Sequence, residues 1–130
     1  MTETASLTAS VYDFLEQYGH RYHRDGKDLL PIDESEQDRL DLQHHIFKMI
    51  LDGELTATKI PQDVQAVLDV GTGTGIWAIE MGEGYPGATI EGLDQAPIQP
   101  SWLPPNVQFE VVCRTIPMIC EPFMRSLPPP

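Results

Sequence analysis

Cysteine is scarce in this sequence, which has only Cys113 and Cys120 among its 130 residues. Two cysteines cannot supply the disulfide framework that stabilises small secreted domains, and their spacing matches no common zinc or redox motif. We therefore expect two reduced thiols in an intracellular protein, either cytoplasmic or nuclear.

Basic side chains are also few, because 8 Lys and Arg residues stand against 20 Asp and Glu, giving a formal charge of -12. An acidic excess repels phosphate backbones and anionic lipid. Long apolar runs are missing as well, and residues 1–30 lack the pattern of a signal peptide. The composition argues against direct nucleic-acid and membrane partners, and the length allows one domain at most.

The N-terminal segment has a helical periodicity. Val11, Phe14, Leu15 and Tyr18 recur at helical spacing, and Gly19 follows where a helix can stop. The pattern predicts a short amphipathic helix.

A second helix is predicted more clearly. Asp33 is placed as its N-cap, with Glu36 at the third helical position, the arrangement of a capping box. Gly53 lies where a left-handed residue ends a helix. Between them runs an apolar stripe that should be buried, formed by Leu42, Ile46, Met49 and Ile50.

A β-α-β pattern follows a polar linker. Short apolar runs flank a helical one, and a proline-rich loop leads to a further run. The predicted elements are a strand at Ala66–Val70, a helix over Ile76–Met81, a strand whose pattern runs over residues 88–93 and ends at Asp94, and a third strand over residues 107–112.

Three alternate glycines, Gly71, Gly73 and Gly75, join the first of these strands to its helix. Glycine permits positive φ and leaves room for a ligand close to the backbone. A strand that turns into the start of a helix in this way should also bring unpaired backbone amides close to that ligand. The dinucleotide fingerprint is excluded because Ile76 stands where it needs a glycine or alanine, and no lysine follows to make a phosphate-binding loop. Asp94 is placed to accept hydrogen bonds from a ribose. These features indicate an adenosine-containing ligand, although a plain tight turn with a loop-capping Asp94 is the alternative.

The glycine segment VLDVGTGTGIWAIE, with TIEGLDQAPIQPSWLPPNVQFE, YGHRYH and LLPIDESEQDRLDLQHHIF, resembles the seven-strand S-adenosylmethionine-dependent methyltransferases, and among them the fungal LaeA-like group of secondary metabolism. The resemblance covers roughly residues 12–111. It implies an α/β fold in which a Rossmann-like sheet binds S-adenosylmethionine. The residues it implies at the cofactor are Gly71, Thr72, Gly73 and Gly75 on the methionine side, Asp69 orienting that loop, and Asp94 at the ribose.

The resemblance also places Tyr18, Arg21 and Tyr22 in a block that folds over the cofactor. An arginine there could pair with the cofactor carboxylate. In the alternative, the two tyrosines pack on the core and Arg21 makes a surface ion pair.

The histidines predict no metal site. His44 and His45 are adjacent on a helix and face different directions, while His20 and His23 have no further ligand at a diagnostic distance. Trp77 is expected to pack the helix on the sheet, and Trp102 has no predicted role.

Family character is lost after the third strand, where Val112 and Cys113 replace the expected acidic residues. We therefore expect a helical cap over 1–60, a partial cofactor-binding unit over 61–112 and an irregular tail over 113–130. A sheet lacking strands four to seven would be incomplete, with its first strand an exposed edge. This predicts either a truncated methyltransferase of doubtful activity alone, with an unknown acceptor and no nameable catalytic residue, or a non-catalytic fragment that associates with a partner chain through that edge. Truncation, an altered reading frame or a retained intron would explain the tail.

Overall fold

The computed structural model describes residues 13–23 and 30–112, which form two helices and five strands. The tail over 113–130 and the Val11 end of the first predicted helix lie outside these residues. In chain order the elements are β1 (Phe14–Gln17), β2 (His20–His23), α1 (Glu34–Ile50), β3 (Ala66–Val70), α2 (Ile76–Gly84), β4 (Thr89–Asp94) and β5 (Val107–Val111).

Strands β3, β4 and β5 form one parallel sheet in that order. Ala66 pairs with Thr89 at the start of β3 and β4, and Gly92 pairs with Phe109 between β4 and β5. Helix α2 is the crossover that a parallel β3–β4 pair requires. The predicted β-α-β-loop-β unit is confirmed. Its elements begin and end within two residues of the predicted positions, except that α2 continues past Met81 to Gly84.

The core lies between α2 and this sheet. Met81 and Ile90 are fully buried, and apolar side chains of the preceding linker pack against the same cluster. The predicted polar linker therefore also contributes apolar side chains to the core. The buried residues of this cluster are Ala78, Met81, Ala88, Ile90 and Val107, and the linker supplies Leu55, Ile60 and Val64.

The first predicted helix is wrong over the described residues, where the chain forms the antiparallel β1–β2 hairpin. Tyr18 and Gly19 both have positive φ, 54° and 80°, as the two central residues of a tight hairpin turn require. Gly19 supplies the left-handed conformation that the sequence suggested, but it closes a hairpin instead of ending a helix. The cap is therefore a hairpin followed by a single helix.

Helix α1 begins as predicted. The Asp33 carboxylate accepts a hydrogen bond from the Glu36 amide at 3.0 Å, and Gly53 beyond the C-terminus has φ 90°. The Glu36 carboxylate binds the Arg39 guanidinium through two hydrogen bonds of 2.7 Å. The N-cap is confirmed, while the Glu36 carboxylate is engaged one turn further along the helix.

The apolar stripe of α1 is not buried by any described part of the chain, so this expectation is wrong. Exposed fractions run from 48% at Ile46 to 69% at Ile50. Helix α1 meets the rest of the structure through a different face, described below. The exposed apolar face consists of Leu42, Ile46, Phe47, Met49 and Ile50.

Strand β3 lies at an edge of the sheet, since β4 is its only neighbour among the described strands. Val67 packs against the core cluster, but Val70 at the end of the strand is 67% exposed. None of the helices in the described residues is both long and apolar enough to cross a bilayer.

Candidate functional site

The glycine loop, residues 71–75, turns the chain from β3 into α2. Gly71, Gly73 and Gly75 have φ of 78°, 61° and 82°, a region that other residues seldom adopt. Their surroundings differ. A side chain at Gly71 would meet nothing within 4 Å, one at Gly73 would touch Leu40 of α1, and one at Gly75 would collide with the Phe109 ring. Gly75 thus makes room for packing, whereas Gly71 borders open space.

Most of the loop amides already have partners inside the protein. The amides of Gly71 and Thr72 donate to the Leu93 carbonyl at 2.8 and 2.9 Å. The Gly73 amide donates to Asp94 Oδ2 at 2.8 Å, and the Gly75 amide to the Thr72 carbonyl at 3.0 Å. The expectation of unpaired amides facing a ligand is wrong for these four groups.

Two carboxylates lie at the carboxyl ends of β3 and β4. Asp69 accepts a hydrogen bond from the buried Thr72 hydroxyl at 2.7 Å. Burial raises the pKa of Asp69, and the charge of Asp94 adds to that rise, while the Thr72 hydrogen bond opposes it. Asp94 accepts from the Gly73 amide through one oxygen and from the Ala96 amide through the other, at 2.8 and 2.9 Å. Four predicted site residues are thereby joined directly: Asp69 to Thr72, and Gly73 to Asp94.

Gln99 also belongs to this site, although the sequence reasoning missed it. Its side-chain nitrogen donates to the Gly73 carbonyl at 2.7 Å and to the Ala96 carbonyl at 2.9 Å. A glutamine five residues after the strand-end carboxylate gave no pattern of its own. Only its position inside the proline-containing loop, facing the glycine turn, could have drawn attention to it.

Helix α1 forms a wall beside the loop. Asp41 accepts a hydrogen bond from the Thr74 hydroxyl at 2.6 Å. Further along, Lys48 and His44 both contact Glu80 of α2, at 2.8 and 3.2 Å. Burial alone would raise the pKa of Glu80, but the hydrogen bonds from Lys48 and His44 outweigh it and hold that pKa below its ordinary value. Polar contacts therefore fix α1 against the glycine loop and α2.

The hairpin is attached to the start of α1. His20 Nδ1 lies 2.7 Å from Asp33 Oδ2, and the Arg21 carbonyl accepts a hydrogen bond from Ile32 at 2.7 Å. The Asp33 pKa is lowered, first by the hydrogen bond from the Glu36 amide and then by the one from His20. This end of α1 is the anchor of the hairpin.

The three hairpin residues predicted to cover the cofactor take no part in the hydrogen bonds of the glycine loop. Arg21 stands over the Phe14 ring at 5.5 Å, Tyr22 is partly buried, and Tyr18 is 91% exposed, so Tyr18 does not pack on the core. Within the described residues, no hydrogen bond joins any of the three to the glycine loop. Their contact with a cofactor stays a prediction.

Other candidate features lie away from the loop. Trp77 packs against the core cluster and donates to the Leu55 carbonyl at 2.9 Å, while Trp102 is 81% exposed. Over the described ranges, no three histidine, cysteine or acidic side chains are grouped as metal ligands. A cavity of about 570 Å³ between the C-terminal ends of α1 and α2 is lined by Lys48 and Glu80, and none of the predicted cofactor residues lines it.

Comparison with known proteins identifies the family. The profile of a methyltransferase domain matches residues 14–118. The chain is 47% identical over 109 residues to the methyltransferase pytC of Aspergillus terreus, covering 82% of this chain and 34% of that protein. It is 47% identical over 108 residues to the secondary metabolism regulator laeA of Aspergillus flavus, covering 80% and 29%. To the protein-methionine methyltransferase laeA of Emericella nidulans it is 45% identical over 111 residues, covering 84% and 30%.

The chain thus spans about a third of the length of these curated relatives. No solved structure matches it. The matched range includes the glycine loop, both strand-end carboxylates and Gln99, and the parallel sheet with its crossover helix is consistent with a partial Rossmann-like fold. The chain belongs to the methyltransferase domain family, whose members use a methyl donor, and its relatives are fungal proteins of secondary metabolism.

Proposed function

We propose that this chain binds S-adenosylmethionine at the glycine loop and carries the cofactor-binding part of a methyltransferase of fungal secondary metabolism. The observation that carries the proposal is that four of the loop amides already donate hydrogen bonds within the protein, to Leu93, Asp94 and Thr72. A loop of this kind has few donors for a phosphate. The small number of cysteines supports action inside the cell, in the cytoplasm or the nucleus.

The charges around the loop favour a cationic ligand. Asp69 and Asp94 flank it at the strand ends, and Asp41 reaches it through Thr74. Carboxylates around a loop repel a pyrophosphate and attract a sulfonium or ammonium group. S-adenosylmethionine has both cationic groups, a ribose and no phosphate, so its chemistry fits the residues present.

The proposed roles follow from these positions. Gly71 borders open space, so a ligand can approach its backbone closely. Asp94 uses each oxygen for one amide and retains further acceptor capacity for ribose hydroxyls. Asp69 holds the loop through Thr72. The hairpin with Tyr18, Arg21 and Tyr22 would cover the cofactor, as the family resemblance implies.

When bound, S-adenosylmethionine supplies an electrophilic methyl group on its sulfonium. Transfer then depends on an acceptor held in line with that methyl. The acceptor is a small molecule or a protein side chain, and the described residues contain no group that we assign as a catalytic base.

Titration calorimetry with S-adenosylhomocysteine tests the proposal. Saturable binding is expected, with none for NAD or ATP at the same concentrations. Asp94→Ala should weaken binding at least about tenfold, because it removes the acceptor of ribose and of the Gly73 amide. Asp63→Ala, at an exposed acid outside the site, is the matched control and should bind as the original does. Absence of saturable heat from a chain that unfolds cooperatively would refute the proposal.

A second function is favoured by the exposed apolar face of α1 together with the β3 edge. We propose, as the alternative, that the chain is non-catalytic and associates with a partner chain, since five adjacent large apolar residues are costly to leave in water. Light scattering after size exclusion distinguishes the two functions. A monodisperse monomer that binds S-adenosylhomocysteine supports the first, and a stable oligomer without binding supports the second.

A further inference from the structure

The backbone of Gly73 is held on both sides by side chains from the end of β4 and from the loop that follows it. Its amide donates to Asp94 Oδ2 at 2.8 Å, and its carbonyl accepts from Gln99 Nε2 at 2.7 Å. Neither side chain is in the glycine loop. The middle of that loop is therefore held in place by a neighbouring segment, in addition to its own turn conformation.

These contacts close into a ring of four residues. The Gln99 nitrogen also donates to the Ala96 carbonyl at 2.9 Å, and the Ala96 amide donates to Asp94 Oδ1 at 2.9 Å. A primary amide carries two hydrogens, so both bonds of Gln99 can form at once. In this ring of Gly73, Asp94, Ala96 and Gln99, the position of the loop and the orientation of the Asp94 carboxylate depend on each other.

We propose that Gln99 is a positioning residue of the methyl-donor site. It holds the glycine loop and the strand-end carboxylate in the binding geometry before the cofactor arrives, so binding does not have to order them. The inference rests on the proposed function, because it assigns Gln99 to the same cofactor site. Glutamine suits the position chemically: it is uncharged beside Asp94 and has two donors for two carbonyls, whereas glutamate at neutral pH has none.

The test compares Gln99→Met with Gln95→Met in the full chain. Methionine keeps the length of the side chain and removes its donors, and Gln95 is an exposed residue of the same loop. Gln99→Met should raise the dissociation constant for S-adenosylhomocysteine about tenfold, while Gln95→Met leaves it within about twofold. Gln99→Glu should weaken binding further, because its carboxylate faces two carbonyl oxygens and Asp94.

Amide hydrogen exchange in the ligand-free protein gives a readout that general destabilisation would not reproduce. Gln99→Met should speed exchange of the Gly73 amide and leave that of Ile90, which bonds the Asn106 carbonyl across the sheet, unchanged. If Ile90 also exchanges faster, Gln99→Asn, which keeps the amide but shortens its reach, takes the place of the methionine variant.

Unchanged Gly73 exchange together with unchanged affinity in Gln99→Met would overturn the proposal. If the original chain binds no S-adenosylhomocysteine, the proposed function fails instead. Gly73 exchange alone then decides whether Gln99 holds the loop, so the two failures are distinguishable.

Discussion

The parallel unit of β3, α2, β4 and β5 and the N-terminal cap are stabilised by different forces. In the unit, Met81 and Ile90 are fully buried between α2 and the sheet. In the cap, the hairpin and α1 are attached through hydrogen bonds and ion pairs at Asp33, Asp41 and Glu80. The apolar face of α1 points to none of these contacts and remains exposed.

This difference shows that a helix can have an apolar stripe without burying it. Apolar burial is worth roughly 25 cal/mol per Å², and the unit gains this from residues close in sequence, because α2 folds back on the strands it connects. The stripe of α1 has no such neighbour in the described residues. Its stability as a helix therefore depends more on its N-cap and its polar contacts than on its apolar side chains.

The largest expected effect is on the free energy of unfolding, when a buried methionine and an exposed methionine are each replaced by alanine. Met81→Ala removes a fully buried side chain of α2 and should lower the free energy of unfolding by about 2–5 kcal/mol. Met49→Ala removes a side chain of α1 that is 67% exposed and should change it by less than about 0.5 kcal/mol. Urea unfolding of both variants measures the difference. Similar losses in the two would mean that α1 is buried in solution, and the contrast between the regions would not hold.

A smaller effect is expected from Gly92→Ala. The added methyl group would overlap the Phe109 ring and the Thr72 hydroxyl, so packing of β4 against β5 and the glycine loop must shift. Overpacking of this kind costs about 1–3 kcal/mol. Gly84→Ala is the control, because a side chain there meets nothing within 4 Å. Thermal unfolding should separate the pair, and a Gly92→Ala protein as stable as its control would show that the sheet tolerates the change.

The smallest expected effect concerns the junction of the regions. Glu80→Gln removes the charge that holds Lys48 and His44, and because these groups are partly exposed the loss at about pH 7 should be about 0.5–1 kcal/mol. The folded pKa of Glu80 is lowered, so its contribution is present above the unfolded pKa, near 4.5, and is lost as the pH falls through the folded value.

Urea unfolding at about pH 7 and about pH 3 checks this sign. The gap in the free energy of unfolding between the original chain and Glu80→Gln should narrow at the lower pH. Glu83→Gln, at an exposed residue of the same helix, should show no gap at either pH. A gap that widens on acidification would contradict the assignment of the ion pairs.

Prediction from the sequence succeeded where local pattern and packing coincide. The parallel unit could be predicted because β3, α2 and β4 are consecutive, and each has the residues that its own element favours. The hairpin could not, since the spacing of Phe14 and Tyr18 fits a helix as well as a strand pair, and only the backbone conformation of Tyr18 and Gly19 distinguishes the two. At the site, Gly73 and Asp94 were predicted separately, and their direct bond is a tertiary contact that no spacing shows.

The sequence by itself determined the fold class, the order of strands and helix along the parallel unit, and the glycine turn. These features depend on residue periodicity and on the conformational freedom of glycine within short segments. Tertiary structure alone decided which groups the loop amides contact, how Gln99 joins the loop to Asp94, and which face of α1 is exposed. The physical reason is that hydrogen bonds and burial between distant segments depend on how the elements pack, and residue type limits those contacts without selecting among them.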